Sequence, residues 1–344
     1  MMLKRCILHL VGSPTDQFHC DLSRFYADSC LQALADPARY SFVIAYVTPD
    51  KQWRFPTSLS DSDIAASQSL NFAEAVLFLA KLQIDIAVPQ MFCHSGMSDY
   101  RALLDLLAIP YIGNTPALMA LTANKAQAKA VVAAAGVAVP ESERLRRGDK
   151  PTFTPPVVVK PTQSDNSLGV TLVLREADYA EALEVAFEQS DEVLIERYIE
   201  LGREVRASII EQNGELICLP LEEYGMDAET NPIRGYANKL GEDEHGKLAF
   251  AKEENKQTWL VDADDPIVAQ VWQAAKLSHQ ALGCRHYSLF DFRIDPQGKP
   301  WFLEAGLYCS FAPKSVIPTM ANATGIELTA FFAQMIDEVL DIKR

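Results

Sequence analysis

The stretch YSLFDFRIDPQGKPWFLEAG, residues 287–306, places two acids, Asp291 and Glu304, in apolar runs on either side of a turn. Residues 295–298 are turn formers and the flanking runs are aromatic and aliphatic, which predicts a β-hairpin with the two acids roughly opposite each other. Two facing carboxylates in apolar surroundings favour a cation between them. Oxygen-only ligands favour Mg²⁺ shared with substrate phosphates. The hairpin alone leaves a solvated edge with two unrelated acids as an equal alternative.

Composition limits the function classes. The 344 residues, 49% hydrophobic and 22% charged, predict a globular chain of two or three domains. A net charge of -15 disfavours nucleic-acid or membrane partners, so a bound polyphosphate needs locally placed lysines and a metal. Seven cysteines without a CxxC pair suggest reduced thiols in a cytoplasmic protein. No segment is expected to act as a signal peptide or membrane span.

The first third of the chain alternates short strands and helices. The predicted buried strands are RCILHLVG (5–12), YSFVIAYV (40–47), IDIAVPQMF (84–92) and IPYIG (109–113), with helical patterns such as DYRALLDLL (99–107) between some of them. This order predicts a parallel α/β domain.

The remainder predicts mixed elements. A helix is expected from Thr122 as N-cap to Gly136 as stop, and a hairpin turns at Asn213 and Gly214. Further elements are a strand–loop–strand unit (155–173), a helix (176–189), a strand (192–199), a charged mobile loop (241–256) and a long helix (265–283).

The loop in KPTQSDNSLGV, residues 160–170, is rich in small polar residues and ends near Gly169. Such a loop can offer backbone N–H groups to phosphate oxygens, with Lys160 as a point charge. It is neither a P-loop nor a GxGxxG motif. Taken alone, it is more consistent with an ordinary hairpin connection.

In chain order these motifs resemble the ATP-grasp ligases, with D-alanine:D-alanine ligases as the closest general likeness, over essentially the whole chain. The resemblance implies an α/β ATP-grasp fold of three domains: an N-terminal parallel α/β domain (1–121), and central (122–197) and C-terminal (198–344) α+β domains that clamp ATP.

The same resemblance implies residue roles. Lys125 and Lys160 would contact ATP phosphates, the backbone of residues 196–199 would meet the adenine, and Glu204 the ribose. Asp291 and Glu304 would hold Mg²⁺ between the β and γ phosphates. The implied ATP-binding set is Lys125, Lys160, Ser167, Glu196, Arg197, Ile199, Glu204 and Lys239, and the implied catalytic set is Lys160, Lys239 and Arg293.

Several positions depart from the D-alanine ligase pattern. Leu289 stands where that family has an Arg that stabilises the tetrahedral intermediate, and Gly306 stands where it has a further metal ligand, Asn. His94 does not keep the family's N-terminal spacing, and Asn166 replaces a loop Ser. The resemblance therefore implies kept nucleotide chemistry and a changed D-alanine site.

Five segments, including those changed positions, resemble the cyanobacterial ligases of mycosporine-like amino acid biosynthesis: residues 9–27, 47–56, 164–173, 282–296 and 301–318. This likeness implies mycosporine-glycine and an L-amino acid, serine or threonine, as substrates, and a homodimer formed through the N-terminal domain. A D-alanine ligase-like dipeptide ligase and a non-catalytic nucleotide-binding module are the alternatives.

The acceptor side is expected to involve four residues that follow the metal strand. Tyr308 and Ser310 would line the pocket, and Lys314 and Ser315 would meet an amino-acid carboxylate, although Ser315 is nearly as good a helix N-cap. Phe311 is expected to be a hydrophobic plug.

Other residues receive structural interpretations. Lys129 is expected to be solvated, and His286 and Tyr287 to pack in the core. Arg293 would touch phosphate or pair with Asp295. Arg206 would pair with Glu196 or Glu222, with no assigned role.

Overall fold

The computed structural model describes residues 4–164, 167–234, 241–242, 248–249 and 258–341. The first sheet has the strand order β3-β2-β1-β4, in which β1 pairs in parallel with β2 and β4. Its elements are β1 (Arg5–Gly12), α1 (Gln17–Ala33), β2 (Tyr40–Val47), β3 (Trp53–Arg54), α2 (Asp61–Ala66), α3 (Phe72–Leu79), β4 (Ile86–Pro89), α4 (His94–Met97), α5 (Asp99–Leu106) and α6 (Pro116–Ala123).

The predicted parallel α/β pattern is confirmed for β2, β1 and β4, whereas β3 pairs antiparallel with β2. The strand β1 is an apolar run buried along most of its length, as a strand inside a parallel sheet is. The predicted strand IPYIG is wrong as a full strand. It contributes only a single bridge, between Tyr111 and Ala87.

The second sheet is four-stranded and antiparallel, in the order β5-β8-β6-β7. Its elements, with the helices beside it, are α7 (Lys125–Ala134), β5 (Ser142–Arg146), β6 (Val157–Pro161), β7 (Thr171–Val173), a 3₁₀ turn (Glu176–Asp178), α8 (Tyr179–Phe187) and β8 (Glu192–Arg197).

The start of α7 differs from the prediction. Asn124, not Thr122, is the N-cap, and its side chain accepts from the N–H groups of Ala126 and Gln127. Thr122 lies in the preceding helix, where its hydroxyl donates to the Leu118 carbonyl at 3.0 Å. The predicted stop is confirmed, because Gly136 follows the helix with φ of +87°.

The third sheet has the order β14-β11-β9-β15-β16, with β10 paired to β9. Its strands and neighbouring helices are β9 (Arg203–Gln212), β10 (Glu215–Cys218), β11 (Glu222–Tyr224), β14 (Thr258–Leu260), α9 (Ile267–Leu282), β15 (Tyr287–Ile294), β16 (Pro300–Ala305), α10 (Val316–Asn322) and α11 (Leu328–Asp341). Separately, β12 (Gly241–Glu242) pairs with β13 (Leu248–Ala249), and the rest of the predicted charged loop lies outside the described residues.

Both predicted hairpins are confirmed. The turn between β9 and β10 places Asn213 and Gly214 at positive φ. In the hairpin of β15 and β16, Asp291 and Glu304 are direct cross-strand partners. The acids are thus opposite each other as expected, with a register irregularity between Asp291 and Phe292 that the sequence does not predict.

The first and third sheets share one hydrophobic core, in which Ile7 and Val88 cluster with Phe311 and the helix side chains Phe331 and Phe332. Phe311 is fully buried, so the predicted plug is confirmed. Among the described residues, no helix has both the length and the apolar character needed to cross a bilayer.

Candidate active site

A first cleft, with about 700 Å³ of empty space including open solvent, lies between the second and third sheets. Every residue of the ATP-binding set that the structure describes lines it, together with Arg293, Asp291 and Glu304. Lys239 lies outside the described residues. The set drawn from scattered motifs is therefore brought to one place. This cleft is called the nucleotide cleft below.

Three buried charges meet at one wall of the nucleotide cleft. Glu196 lies between two lysines, with Oε1 at 2.8 Å from Lys129 Nζ and Oε2 at 2.8 Å from Lys160 Nζ. Lys129 also donates to the Phe302 carbonyl on β16 at 3.1 Å. Burial raises the pKa of Glu196, but the two ammonium groups outweigh it and hold that pKa below its ordinary value. These contacts tie α7, β6, β8 and β16 together.

The expectation that Lys129 is solvated is wrong, because its side chain is only 3% exposed. Burial lowers the pKa of Lys129 to about 8, against the opposing charge of Glu196. Lys129 lies one helical turn from Lys125, a spacing that puts both on one helix face. The spacing of these two lysines is therefore the sequence feature that could have placed Lys129 at the site.

Glu204 and Arg293 form a second buried pair, with Arg293 Nη2 at 2.7 Å from Glu204 Oε2. Arg293 also donates to the carbonyls of Ile199 and Pro232, at 3.2 and 2.9 Å. The expected pairing of Arg293 with Asp295 is wrong. Arg293 instead joins the strand of Glu204 to the segment around Ile199, the two places expected to meet ribose and adenine.

The two hairpin acids carry cationic partners. Arg206 Nε lies 2.8 Å from Asp291 Oδ1, and Arg234 Nη1 lies 3.6 Å from Asp291 Oδ2. Lys125 Nζ lies 3.7 Å from Glu304 Oε2 and also donates to the Ser164 carbonyl. The paired carboxylates therefore sit where positive charge is already concentrated.

A second, larger cleft, with about 2340 Å³ of empty space including open solvent, adjoins the first. It is called the acceptor cleft. Four of the described residues line both clefts: Lys125, Arg234, Asp291 and Glu304. Asp291 and Glu304, the acids expected to hold Mg²⁺ and called the metal acids below, therefore stand at the junction of the clefts. All four expected acceptor residues, Tyr308, Ser310, Lys314 and Ser315, line the acceptor cleft.

The expected acceptor residues differ in how they are held. The Tyr308 ring lies edge-on to Phe92 at 5.5 Å, and the Ser310 carbonyl accepts from Gln90 Nε2 at 2.7 Å. Ser315 occupies the N-cap position of α10 without capping it, because its hydroxyl donates to the Ala312 carbonyl at 2.7 Å.

Comparison with known proteins decides the family. Residues 131–337 match the family model described as the D-ala D-ala ligase C-terminus. The chain belongs to the D-alanine–D-alanine ligase family. This ligase is 34% identical over 235 residues to the D-alanine–D-alanine ligase of Halalkalibacterium halodurans, covering 66% of this chain and 72% of that one. It is 31% identical over 267 residues to the vancomycin B-type resistance protein VanB of Enterococcus faecalis, covering 74% and 72%.

Solved structures identify the fold of the ligase. The VanG D-Ala:D-Ser ligase from Enterococcus faecalis aligns over 99% of this chain and 100% of its own, with a TM-score of 0.78 and 21% identity. The D-alanine–D-alanine ligase from Bacillus anthracis complexed with ATP aligns over 98% of both chains, with a TM-score of 0.72 and 21% identity. The expected ATP-grasp fold is confirmed, and the chain is an ADP-forming ATP-grasp ligase.

Sequence reasoning missed three residues besides Lys129. Arg206 contacts Asp291, and Glu222 at 3.8 Å, but not Glu196, so one of its two expected partners is right and one is wrong. Arg234 and Tyr224 were not singled out, although the Arg234 guanidinium lies 3.6 Å from the Tyr224 ring centroid. Cross-strand neighbours of this kind depend on sheet order, which local patterns do not carry.

The donor set fits Mg²⁺. Asp291 and Glu304 supply carboxylate oxygens on paired strands, and Mg²⁺ binds through one or two carboxylates together with substrate phosphates. No group of three or more His, Cys, Asp or Glu side chains with metal-site geometry occurs within the described ranges, so a closed protein cage is not formed there. A metal shared with a phosphate-bearing substrate matches this open, two-carboxylate arrangement.

Proposed function

We propose that this ligase joins an L-amino acid, serine or threonine, to mycosporine-glycine with hydrolysis of ATP to ADP and phosphate. ATP and Mg²⁺ are the cofactors of its family. The nucleotide cleft would hold ATP, and the acceptor cleft would hold the two substrates that are joined.

The observation that carries the proposal is the apolar wall beside the metal acids. Leu289 and Gly306 meet across the paired strands, where the Gly306 N–H donates to the Leu289 carbonyl at 2.8 Å. A Cβ placed at Gly306 would come 3.9 Å from Leu289 Cδ2. A neutral wall with room beside it suits a carbocyclic ring better than a small zwitterionic amino-acid donor.

The aromatic side of the acceptor cleft supports the same substrate. Tyr26, Phe92 and Tyr308 line it, and Phe92 packs edge-on to both of the other rings. Flat apolar surfaces bind ring systems through area burial and ring–ring contacts. Lys314 and Ser315 lie in the same cleft and would bind the carboxylate of the incoming amino acid.

The chemistry proceeds in two steps. The ring carbonyl oxygen forms a bond to the γ-phosphorus while the bond from that phosphorus to the β,γ-bridging oxygen breaks, and its electron pair leaves on ADP. The amino-acid nitrogen then adds to the ring carbon, phosphate leaves with the electrons of the C–O bond, and the nitrogen gives up a proton as the imine forms.

The chain's own residues serve the first step mainly by position and charge. Lys125 and Lys160 point into the nucleotide cleft and would neutralise phosphate oxygens, which is the main requirement of phosphoryl transfer. Asp291 and Glu304 would hold Mg²⁺, which would supply further neutralisation of the phosphate charge. Glu204, fixed by Arg293, would meet the ribose.

A dipeptide ligase of the D-alanine type is the second candidate. Its support is the printed function of the relatives, which are named D-alanine–D-alanine ligases or vancomycin resistance proteins. The position of Leu289 beside the acids argues against it, because a neutral residue there offers no hydrogen bond to a tetrahedral oxyanion.

One incubation separates the two candidates. The protein, ATP and Mg²⁺ are combined with mycosporine-glycine and a panel of L-amino acids, and in parallel with D-alanine alone. Absorbance, product mass and ADP are read together. A red-shifted imine product with serine or threonine supports the proposal. Formation of ADP and a dipeptide only in the incubation with D-alanine would contradict it.

A cytoplasmic location and a homodimer belong to the same proposal. All seven cysteines are free thiols in the structure, as a reducing compartment favours. Size-exclusion chromatography with light scattering tests the dimer directly, and a monomer at assay concentration would remove that part of the proposal.

A further inference from the structure

Arg206 lies beside Asp291, one of the two metal acids. It lies on β9, where it is the direct cross-strand partner of Asp291 on β15, and its Nε contacts Asp291 Oδ1 at 2.8 Å. Arg206 lines the acceptor cleft but not the nucleotide cleft, whereas Asp291 lines both. Its guanidinium is therefore on the acceptor side of the acid that would hold the metal.

The Arg206 side chain is held by more than Asp291. Its guanidinium carbon lies 5.2 Å from the Tyr224 ring centroid, and Nη1 lies 3.8 Å from Glu222 Oε2. An arginine guanidinium stays protonated in proteins. Arg206 is thus a permanent, partly buried positive charge with supports on two neighbouring strands.

These positions order the charges along the path of the reaction. Lys160, Glu204 and Arg293 line only the nucleotide cleft, the metal acids stand at the junction, and Arg206 follows on the acceptor side. A phosphoryl group that moves from ADP to an acceptor oxygen crosses that junction in the same direction. Leu289, the next residue on this face of β15, carries no charge that could meet it.

We propose that Arg206 is a catalytic residue of this ligase, whose guanidinium binds the oxygens of the phosphoryl group during transfer. The inference rests on the proposed function only in requiring phosphoryl transfer across the junction, and it does not depend on the donor's identity. The bond from γ-phosphorus to the acceptor oxygen forms as the bond to the ADP oxygen breaks. The negative charge on the equatorial phosphoryl oxygens would meet the planar Arg206 guanidinium, which has several N–H donors.

The alternative role for Arg206 is structural, namely to hold Asp291 in place. In that role, its loss would weaken metal–nucleotide binding. In the catalytic role, its loss would leave ground-state binding intact, because Mg²⁺ replaces the guanidinium as the counter-charge of Asp291, and would weaken only the transition-state complex.

The experiment compares MgADP alone with MgADP plus orthovanadate, a mimic of the phosphoryl group in transfer, by calorimetry on the full chain. Arg206→Met should weaken vanadate binding about 100-fold or more while the affinity for MgADP stays unchanged. Arg206→Lys, which keeps the charge but loses the fork, should fall between. Neither mycosporine-glycine nor an amino acid is present, so this result stands apart from success or failure of the mycosporine assay.

Arg203→Met is the matched control. Arg203 lies on the same strand and pairs with Glu223 and Asp265, at 2.8 and 2.7 Å, away from both clefts. The Arg203→Met variant should bind vanadate with the same affinity as the unaltered protein. Equal vanadate affinity in Arg206→Met and Arg203→Met, a parallel loss of MgADP binding in Arg206→Met and Arg206→Lys, or no vanadate binding by the unaltered protein would each overturn the proposal.

Discussion

Replacing Glu196 by Gln should be among the most destabilising single changes at the nucleotide cleft. Its carboxylate is the shared counter-charge of Lys129 and Lys160, and the exposed fractions of the three side chains are 3%, 3% and 8%. Gln removes the charge and keeps the size. The two buried lysines would then lose the counter-charge that they share.

The size of the effect follows from the two lysines. Removing one partner of a buried ion pair costs roughly 3–5 kcal/mol. Replacing Lys129 by Met should cost less, about 1.5–3 kcal/mol, because one ionic contact of the carboxylate is lost while the Lys160–Glu196 pair remains. The double variant Lys129→Met/Glu196→Gln should be more stable than Glu196→Gln alone, because it buries one lysine without this counter-charge instead of two.

Urea unfolding and thermal melts at pH 7 measure these differences. At roughly 2–4 °C per kcal/mol, Glu196→Gln should lower the Tm by about 6 °C or more. Glu141→Gln is the matched control, since Glu141 pairs with Arg197 at the same 2.8 Å but is 67% exposed, and it should melt with the unaltered protein.

Two results would refute the reasoning about Glu196. The first is a Glu196→Gln variant as stable as Glu141→Gln. The second is a further loss of stability when Lys129→Met is added to Glu196→Gln. Either would mean that the two lysines do not depend on Glu196 for their counter-charge.

Three further predictions concern the metal acids, the acceptor wall and acid stability. Glu304→Gln should weaken Mg²⁺ binding measured by calorimetry with ADP present, and an unchanged Mg²⁺ affinity would remove Glu304 from the metal site. Leu289→Arg should abolish ligation of mycosporine-glycine by placing a charge on the apolar wall, and a gain of that activity would contradict the role of the wall. Burial lowers the pKa of His286 to about 4, from 6.5. Stability from neutral His286 is therefore present above pH 6.5 and lost as pH falls through this window to 4, so urea unfolding of His286→Gln should show a flatter pH dependence there, and an equal slope would exclude this histidine.

The parts of the site that could be predicted are those coded by local patterns. The hairpin of Asp291 and Glu304 has turn-forming residues between two apolar runs, so counting from the turn predicts that the two acids lie roughly opposite each other. The lysine before Pro161 stood out because a charge in a β-branched run is unusual. Family resemblance then supplied the roles that spacing alone left open.

The parts that could not be predicted depend on which elements pack together. Helical spacing places Lys129 on the face of Lys125, but only packing against β8 and β16 decides that this face is buried. The partner of Arg206 likewise depends on β9 lying next to β15, a neighbour that is distant in sequence. The roles of both residues depend on contacts between sheets and strands that are distant in the sequence.

The distribution of charge links the composition to the proposed chemistry. A chain with a net charge of -15 repels polyphosphates at long range, yet it places Lys125, Arg206 and Arg234 around the two hairpin acids. Each of these cations already has a carboxylate partner, so none of the three is buried without a counter-charge. On substrate binding, Mg²⁺ would replace the cations as the partner of the carboxylates, and phosphate oxygens would replace the carboxylates as the partners of the cations. An acidic protein can in this way bind an anionic substrate at one site while the rest of its surface stays unfavourable to anions.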